Sequence, residues 1–282
     1  MISQKINRHA KQISAEIIGN KKVGPYHHMV FAVGDIAAHV KPGNFAAISV
    51  GGESSSMVLR RAFAIYRAID KGMLGGTIEL VVAPHGAGSK WLTKQNVGDF
   101  VDLIAPLGTA FGIPTSNANA MLIGGGYGSA PLFALAEILK NRGCRVDMVL
   151  GASTASKIYA PLEGKRSVSS LTLTTDDGSA GIHGQITESI PRLIREFGTE
   201  VIYSCGPMAM LESINKIATD FDIVHQCSVE ESMACGIGVC MTCVVPMRVE
   251  DEVKMIRTCI DGPVMDGAAI IWDRKSALEA MQ

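Results

Sequence analysis

Four cysteines near the C-terminus are spaced in the pattern C-x4-C-x2-C-x15-C, and they are Cys235, Cys240, Cys243 and Cys259. This spacing is typical of plant-type [2Fe–2S] sites, in which four thiolates hold two bridged irons. The thiolates must reach the irons from different directions, so the segment has to form a tight loop completed by a distant return strand. Gly236 and Gly238 suit such a loop, because glycine tolerates positive φ and lets backbone N–H groups approach sulfur. The pattern therefore predicts a one-electron relay.

Structural zinc is the main alternative use of these cysteines. Zinc sites usually arrange their ligands as two C-x2-C or C-x2-H pairs, and here Cys240 and Cys243 form one such pair without a second. Disulfides are disfavoured, because seven cysteines is an odd number and the charged N-terminal sequence does not resemble a secretory signal. We therefore expect reduced thiols, as in a cytoplasmic protein.

Length and composition narrow the class of protein. A chain of 282 residues with 47% apolar content is long enough for two or more domains. A net charge of −1 gives no electrostatic reason to expect nucleic acid or an anionic membrane surface. No stretch approaches the roughly 18 uninterrupted apolar residues of a membrane-spanning helix. We expect a cytoplasmic protein with neither nucleic-acid nor membrane partners.

Hydrophobic periodicity divides the chain into three parts. Residues 13–113 contain short β-like runs separated by turns, which predict an antiparallel β-barrel. After the polar linker PTSNANA, residues 119–227 alternate between strand and helix patterns, which predict an open parallel sheet. The fold class is thus α/β plus β: an antiparallel barrel, a Rossmann-like sheet and a small cysteine-bearing module. We place the domains at residues 1–115, 116–226 and 227–282.

A glycine-rich turn between a strand and a helix is the first candidate nucleotide site. The stretch LIGGGYGSAPLFALAEIL supplies Gly124, Gly125, Gly126 and Gly128. A pyrophosphate could bind the backbone donors at the start of that helix. The alternative is a plain strand-to-helix turn, because Ser129 and Pro131 stand where the dinucleotide fingerprint has a third glycine.

The strand that follows this helix bears on the choice between NAD and NADP. It ends in Ala152, Ser153 and Thr154, which offer neither a carboxylate for a ribose diol nor an arginine for a 2′-phosphate. The sequence therefore favours NAD over NADP. If NADP were bound, Lys157 could contact its 2′-phosphate. Asp176 and Asp177, before a glycine, are most simply a turn.

Two further segments carry candidate binding residues. In the barrel, RRAFAIYRA offers an arginine that could pair with phosphate and Phe63, which could stack on a flat ring or simply fill the core. Cys205, in YSCGPMAM, ends a predicted strand at the edge where open α/β sheets bind ligands, or is a small buried residue.

Taken in order, these motifs resemble the ferredoxin–NADP reductase superfamily, and within it the family of electron-transfer subunits of class 1B dihydroorotate dehydrogenases. RAFA stands beside the family's R-P-x-S flavin motif, and GAGSKWL beside G-x-G-T-x-x-L. Further matches are IGGGYGSAPL, YSCGPMAM and ESMACGIGVCMTCVVP. The resemblance covers nearly the whole chain.

The resemblance implies FAD between the barrel and the sheet, NAD(H) at the glycine turn and a [2Fe–2S] cluster beyond. The implied FAD contacts are Arg61 with phosphate, Phe63 and Ala64 with the isoalloxazine, Val81, Val82 and Ala83 along the flavin, and Gly88 and Ser89 with the pyrophosphate. The motif YSCGPMAM adds Cys205, Gly206 and Pro207 to the expected cofactor-binding residues. Two departures occur in the flavin motif: Ala62 replaces proline, and Ala64 replaces a serine whose hydroxyl is expected near flavin N5. Hydride transfer is therefore expected to be slower or differently tuned.

The resemblance also implies an oxidoreductase subunit without a dihydroorotate site of its own. A separate FMN-containing catalytic subunit would oxidise dihydroorotate in pyrimidine biosynthesis, in a heterotetramer of two plus two chains, and electrons would reach NAD+ through this chain. One alternative is the reductase subunit of an NADH-dependent ferredoxin–NADP or sulfide dehydrogenase complex, whose relatives often have aspartate where this chain has Cys235. Another alternative is a redox sensor or scaffold without turnover, which the missing serine at Ala64 leaves open.

Overall fold

The computed structural model describes residues 8–52, 55–72 and 75–273. The outer ends of the expected first and third domains therefore lie outside the described residues. Within those residues, no helix has the length and apolar character needed to cross a bilayer.

Six antiparallel strands close into the expected barrel. Their order around the barrel is β1-β2-β5-β4-β3-β6. Their bounds are β1 (Lys11–Val23), β2 (Tyr26–Ala32), β3 (Phe45–Ile48), β4 (Arg61–Asp70), β5 (Gly76–Val82) and β6 (Phe100–Leu107). Alternate residues point inward, so Met29 and Phe31 of β2 are fully buried in the barrel core. Helix α1 (Ala87–Leu92) follows β5.

A seven-stranded sheet forms the second part, in the order β10-β9-β8-β7-β11-β12-β15. Its strands and helices alternate along the chain: β7 (Asn119–Gly125), α2 (Ala130–Asn141), β8 (Arg145–Ala152), α3 (Pro161–Ser167), β9 (Ser170–Thr175), β10 (Ile182–His183), α4 (Ile186–Phe197), β11 (Val201–Cys205), α5 (Met208–Asp220) and β12 (Val224–Ser228). The strand order reverses between β7 and β11, because β8 lies on one side of β7 and β11 on the other. Ligands of open α/β sheets bind at such a switch point, beyond the carboxyl ends of the strands.

The cysteine-bearing segment is joined to this sheet. Strands β13 (Val244–Val249) and β14 (Glu252–Arg257) form a two-stranded ribbon, while β15 (Val264–Asp266) pairs antiparallel with β12. Cys243 directly precedes β13 and Cys259 follows β14, so β14 is the return strand that the cysteine spacing requires. The predicted fold class is confirmed.

Some residues of the barrel pack into the apolar core of the sheet. Strand β5 is buried along its whole length, because Ile78 and Leu80 face the barrel interior while Val81 packs with residues of the sheet. At the same boundary Tyr66 donates a 2.5 Å hydrogen bond to Glu163, the carboxylate that also pairs with Arg67 at 2.7 Å. These contacts hold the barrel against the sheet on either side of the cleft between them.

Candidate functional site

An outer cavity of about 730 Å³ lies beyond the carboxyl ends of β7, β8 and β11. Of the glycine turn, Gly125 and Gly126 line this cavity, and Gly126 has a φ of 56° that favours glycine. A Cβ atom on Gly125 would lie 2.9 Å from the sulfur of Met210, so a side chain would fill the cavity wall. Pro207 lines the cavity from the start of α5. This is the switch-point position where a dinucleotide binds.

The other two glycines of the turn have different surroundings. A Cβ atom on Gly124 would lie 2.4 Å from the Cβ of Ser129, so Gly124 permits the close turn and lines neither cavity. Gly128 faces a second cavity, and a Cβ atom there would lie 2.9 Å from the Cα of Gly206. Gly206 therefore supports the turn through close backbone contact.

This second, inner cavity of about 340 Å³ lies between the barrel and the sheet. Its barrel wall is apolar and consists of Phe45, Ala62, Phe63, Ala64 and Val81. Polar groups come from the opposite wall, where the lining includes Cys205, Ser228, Glu230 and Ser232. A flat apolar wall facing polar groups fits the isoalloxazine ring, whose face is apolar and whose edge carries hydrogen-bonding atoms.

The remaining residues expected at FAD lie at different places. Ala83 lines the outer cavity, whereas Arg61, Gly88 and Ser89 line neither cavity. Val82 is fully buried in the barrel core, so only its backbone is available to a ligand. A Cβ atom on Gly88 would lie 2.9 Å from the Nε atom of Arg61, so the arginine packs against α1. Ser89 Oγ accepts a 3.2 Å hydrogen bond from the backbone N–H of Gly86. Arg61, Gly88 and Ser89 thus stand together, as a pyrophosphate site requires.

Two residues that sequence reasoning missed stand where the cavities meet. Tyr127 and Glu230 each line both cavities. Burial raises the pKa of the Glu230 carboxyl above its usual value. Burial also raises the pKa of Tyr127, and the nearby Glu230 and Cys205 raise it further. Glu230 lies two residues beyond the end of β12, so the rule that ligands bind at strand ends could have found it.

The far end of the outer cavity carries a carboxylate and an ammonium. Asp176 lines it, because β9 lies beside β8 and the Asp176 N–H donates to the Ala152 carbonyl at 3.1 Å. Lys157 Nζ donates to Ser153 Oγ at 3.0 Å and also lines the cavity. The end of β8 carries no charged side chain, as expected from the sequence. Asp176 and Lys157 bring a negative and a positive charge to the cavity beside it.

The four cluster cysteines lie close enough to affect one another's pKa. Cys235 acts on Cys240, and both Cys243 and Cys235 act on Cys259. Four neighbouring thiols are the donor set that a [2Fe–2S] cluster takes. No group of three or more His, Cys, Asp or Glu side chains in the described parts of the chain surrounds a single metal position.

The loop around these cysteines has the backbone that the cluster needs. Gly236 and Gly238 have φ angles of 71° and 81°, and the Val239 N–H donates to the sulfur of Cys235 at 3.3 Å. A hydrogen bond with Thr242, with further hydrogen bonds to Cys235, lowers the pKa of Cys240 to about 6, whereas burial raises that of Cys259 to about 12. The donor set and the glycine loop fit the cluster.

Phe45 connects the inner cavity with the cysteines. Its ring lines that cavity and is only 2% exposed. The same side chain belongs to an apolar cluster with Cys243 and Cys259. Met233 also lines the cavity and packs against this cluster. The outer cavity, the inner cavity and the cysteines therefore follow one another through the molecule.

A barrel joined to a switch-point sheet, with a cavity between them and a cysteine loop beyond, defines a flavin-dependent reductase that carries an iron–sulfur module. Comparison with known proteins agrees with this class. Residues 230–271 match the family described as the iron-sulfur cluster binding domain of dihydroorotate dehydrogenase B. The chain belongs to the family of dihydroorotate dehydrogenase B (NAD(+)) electron transfer subunits.

Family membership follows from relatives that match over nearly their whole length. The subunit from Desulforamulus reducens is 31% identical over 94% of this chain and 100% of the relative. The Listeria monocytogenes subunit is 32% identical over 90% of this chain and 96% of its own. The resemblance expected from the motifs is thus confirmed.

Solved structures support the same class. A structure of NADH-dependent reduced ferredoxin-NADP oxidoreductase superposes with a TM-score of 0.79 at 27% identity, over 95% of this chain and 93% of that one. The cytochrome P450 reductase GcoB from Amycolatopsis, at 21% identity and a TM-score of 0.59 over 75% of this chain and 66% of its own, shares the fold. The chain is an oxidoreductase component with FAD, a [2Fe–2S] cluster and NAD(H) as its cofactors.

Proposed function

We propose that this chain passes electrons between the FMN of a separate dihydroorotate dehydrogenase subunit and NAD, by way of its [2Fe–2S] cluster and FAD. The observation that carries the proposal is the continuous series of outer cavity, inner cavity and cluster cysteines. When bound, FAD exchanges hydride with nicotinamide and single electrons with the cluster.

The chain's own residues bind and orient the cofactors. Arg61, Gly88 and Ser89 hold the FAD pyrophosphate, while Ala62, Phe63, Ala64, Val81, Ala83 and the backbone of Val82 contact the flavin. Gly125 and Gly126 bind the NAD pyrophosphate, supported by Gly124, Gly128 and Gly206. Pro207 contacts NAD in the outer cavity, and Cys205 contacts the flavin from the wall of the inner cavity. Cys235, Cys240, Cys243 and Cys259 ligate the cluster. Ala64 lines the inner cavity on the exposed side of β4, so a serine at this position would direct its hydroxyl towards the bound flavin.

The division of the chain follows the same series. We place the FAD-binding barrel at residues 1–115, the NAD-binding sheet at 116–226 and the cluster module at 227–282. The module depends on the sheet, because β15 pairs with β12 and an apolar cluster containing Leu211, Val245 and Ile256 spans the boundary.

The partner subunit docks on the cluster loop. Cys240 is exposed there, together with three apolar side chains: Ile237 at 44%, Val239 at 76% and Met241 at 52%. Exposed apolar residues around a ligand are typical of an interaction surface, and electron transfer requires the partner's FMN to approach closely. We propose a cytoplasmic complex of two chains of each kind, to be checked by the mass of the purified assembly.

Reconstitution tests this function. The chain alone should not oxidise dihydroorotate, but it should make an FMN-containing dihydroorotate dehydrogenase dependent on NAD when the two are mixed. Ile237→Glu should weaken both assembly and NAD-linked turnover, because it places a charge in the docking surface, while dye reduction by NADH persists.

Val224→Glu is the matched control, because Val224 is 62% exposed at the opposite end of the sheet. It should assemble as the wild type does. Absence of binding to any FMN subunit would refute the proposed partnership, and absence of NADH-dependent dye reduction would indicate a sensor or scaffold instead.

A further inference from the structure

Two buried side-chain hydroxyls within the described residues lack a hydrogen-bond partner, and they belong to Thr174 and Thr258. Leaving a buried hydroxyl unpaired is costly, because the group has lost its hydrogen bonds to water. Thr258 is completely buried and directly precedes the cluster ligand Cys259. An unpaired donor at this position calls for an acceptor that the polypeptide itself does not supply.

Strand pairing shows which way the Thr258 side chain faces. In the β13–β14 ribbon Val244 pairs with Arg257, so the same register places Cys243 opposite Thr258. The Thr258 N–H donates to the Cys243 carbonyl at 2.7 Å, which continues the ladder by one residue. Directly opposite residues of an antiparallel pair have their side chains on the same face. The hydroxyl of Thr258 therefore lies on the side of the ribbon that carries the Cys243 sulfur.

We propose that the Thr258 hydroxyl donates a hydrogen bond to a sulfur of the bound [2Fe–2S] cluster and thereby raises its reduction potential. A donor to sulfur stabilises the more negative, reduced cluster more than the oxidised one. The inference rests on the cluster ligands proposed above, and it adds a positioning and tuning residue to them.

The test is a redox titration of cluster-loaded protein, followed through the electron paramagnetic resonance of the reduced cluster. Thr258→Val removes the hydroxyl and keeps the side-chain shape, whereas Thr258→Ser keeps the hydroxyl. At a fixed potential near the midpoint, the ratio of reduced to oxidised cluster should be about tenfold lower in the valine variant, a downward shift of about 59 mV for a one-electron couple. The serine variant should stay near the wild type.

Thr174→Val is the matched control, because Thr174 carries the other unpaired hydroxyl and lies in β9 of the sheet. Its midpoint should not change. If Thr258→Val fails to hold the cluster, Thr258→Ser and Thr258→Ala make the same comparison between two smaller side chains, with and without a hydroxyl.

An unchanged midpoint in cluster-loaded Thr258→Val would overturn the inference. Equal shifts of the midpoint in Thr258→Val and Thr258→Ser would also overturn it, because Thr258→Ser retains the donor. Loss of the cluster from both Thr258→Ser and Thr258→Ala would overturn it for the same reason. Iron and sulfide analysis separates these outcomes from failure of the proposed ligands, and binding of the FMN subunit separately tests the proposed partnership.

Discussion

Cysteine side chains in this molecule have very different surroundings, which set their chemistry. Burial raises the pKa of both Cys205 and Cys227 to about 12, so these thiols are protonated at neutral pH. Cys240, in contrast, is exposed and hydrogen-bonded, and its pKa is lowered to about 6. Burial thus keeps Cys205 and Cys227 protonated, whereas the exposed Cys240 of the cluster site loses its proton more readily.

Substitution of Cys240 should remove the cluster and leave FAD bound. The inner cavity is lined by other residues, so Cys240→Ala takes away one of four iron ligands without touching the flavin wall. The wild type should contain about two irons and two acid-labile sulfides per flavin, and the variant neither. Cys144→Ala, at a buried cysteine before β8, should keep both cofactors. Joint loss of flavin and iron in Cys240→Ala would contradict separate sites.

Asp176 should disfavour NADPH. Its carboxylate lines the far end of the outer cavity, where it would repel a 2′-phosphate. We expect the wild type to be reduced faster by NADH, and Asp176→Ser to narrow that preference on the order of tenfold, or about 1.4 kcal/mol. Stopped-flow reduction of the flavin by each cofactor measures this. Asp177→Ser, next to it but outside the cavity lining, should behave as the wild type; an equal effect of both substitutions would argue against a specific contact.

At the scale of elements, a buried polar group ties β11, β12 and α5 together beside the ligand edge of the sheet. His225 of β12 is 2% exposed, with its Nε2 atom 2.7 Å from Ser204 Oγ and its Nδ1 atom 3.2 Å from Asn215 Oδ1. The amide oxygen of Asn215 can only accept, so Nδ1 carries the proton and Nε2 accepts from the serine. The neutral ring is thus hydrogen-bonded on both sides, and a second proton would place a positive charge in a buried site.

Stability should fall in mild acid because of His225. Burial lowers its pKa from 6.5 to about 4, so below pH 6.5 the unfolded chain binds a proton that the folded chain does not. This difference in proton binding lowers the free energy of unfolding by about 2 kcal/mol between pH 7 and pH 5. Urea unfolding at the two values measures it. The His225→Gln variant should be less stable than the wild type at pH 7, but its free energy of unfolding should fall less between pH 7 and pH 5. If the variant shows the same pH dependence as the wild type, His225 is not the cause.

At the scale of the whole molecule, the three parts share cores instead of meeting at simple surfaces. Val81 of the barrel packs in the core of the sheet, and β15 of the cysteine segment extends that sheet. Phe45 belongs to the barrel, lines the inner cavity and packs with the cluster cysteines. The distance between flavin and cluster is therefore set by packed side chains and not by a linker.

Phe45→Leu should slow electron transfer from flavin to cluster. The smaller side chain leaves a gap between the inner cavity and the cysteines, which loosens packing and admits water. Stopped-flow measurements should show flavin reduction by NADH at the wild-type rate and slower cluster reduction. Phe63→Leu is the comparison, because Phe63 lines the same cavity but packs against the barrel core, and it should alter flavin binding first. Unchanged cluster reduction in Phe45→Leu would mean that electrons pass elsewhere.

Local sequence was sufficient for the features that depend on neighbouring residues. The cysteine spacing predicts the loop and the return strand, the glycine run predicts the turn before α2, and the change of period separates barrel from sheet. Each depends on backbone geometry within a short segment, which spacing and composition encode directly. The family resemblance, based on the same short motifs, predicted the cofactors.

Tertiary structure alone decided which distant residues meet. Tyr127 and Glu230 are brought to one junction because β7 and β12 both lie next to β11 in the sheet. Asp176 reaches the outer cavity because β9 pairs with β8, and Thr258 lies on the same side of the ribbon as Cys243 because the two residues are opposite each other. Sheet order and register arise from packing of the whole chain, so no short pattern encodes them. Short motifs thus encode the chemistry of each site, whereas the folded chain sets the order of the sites and the groups between them.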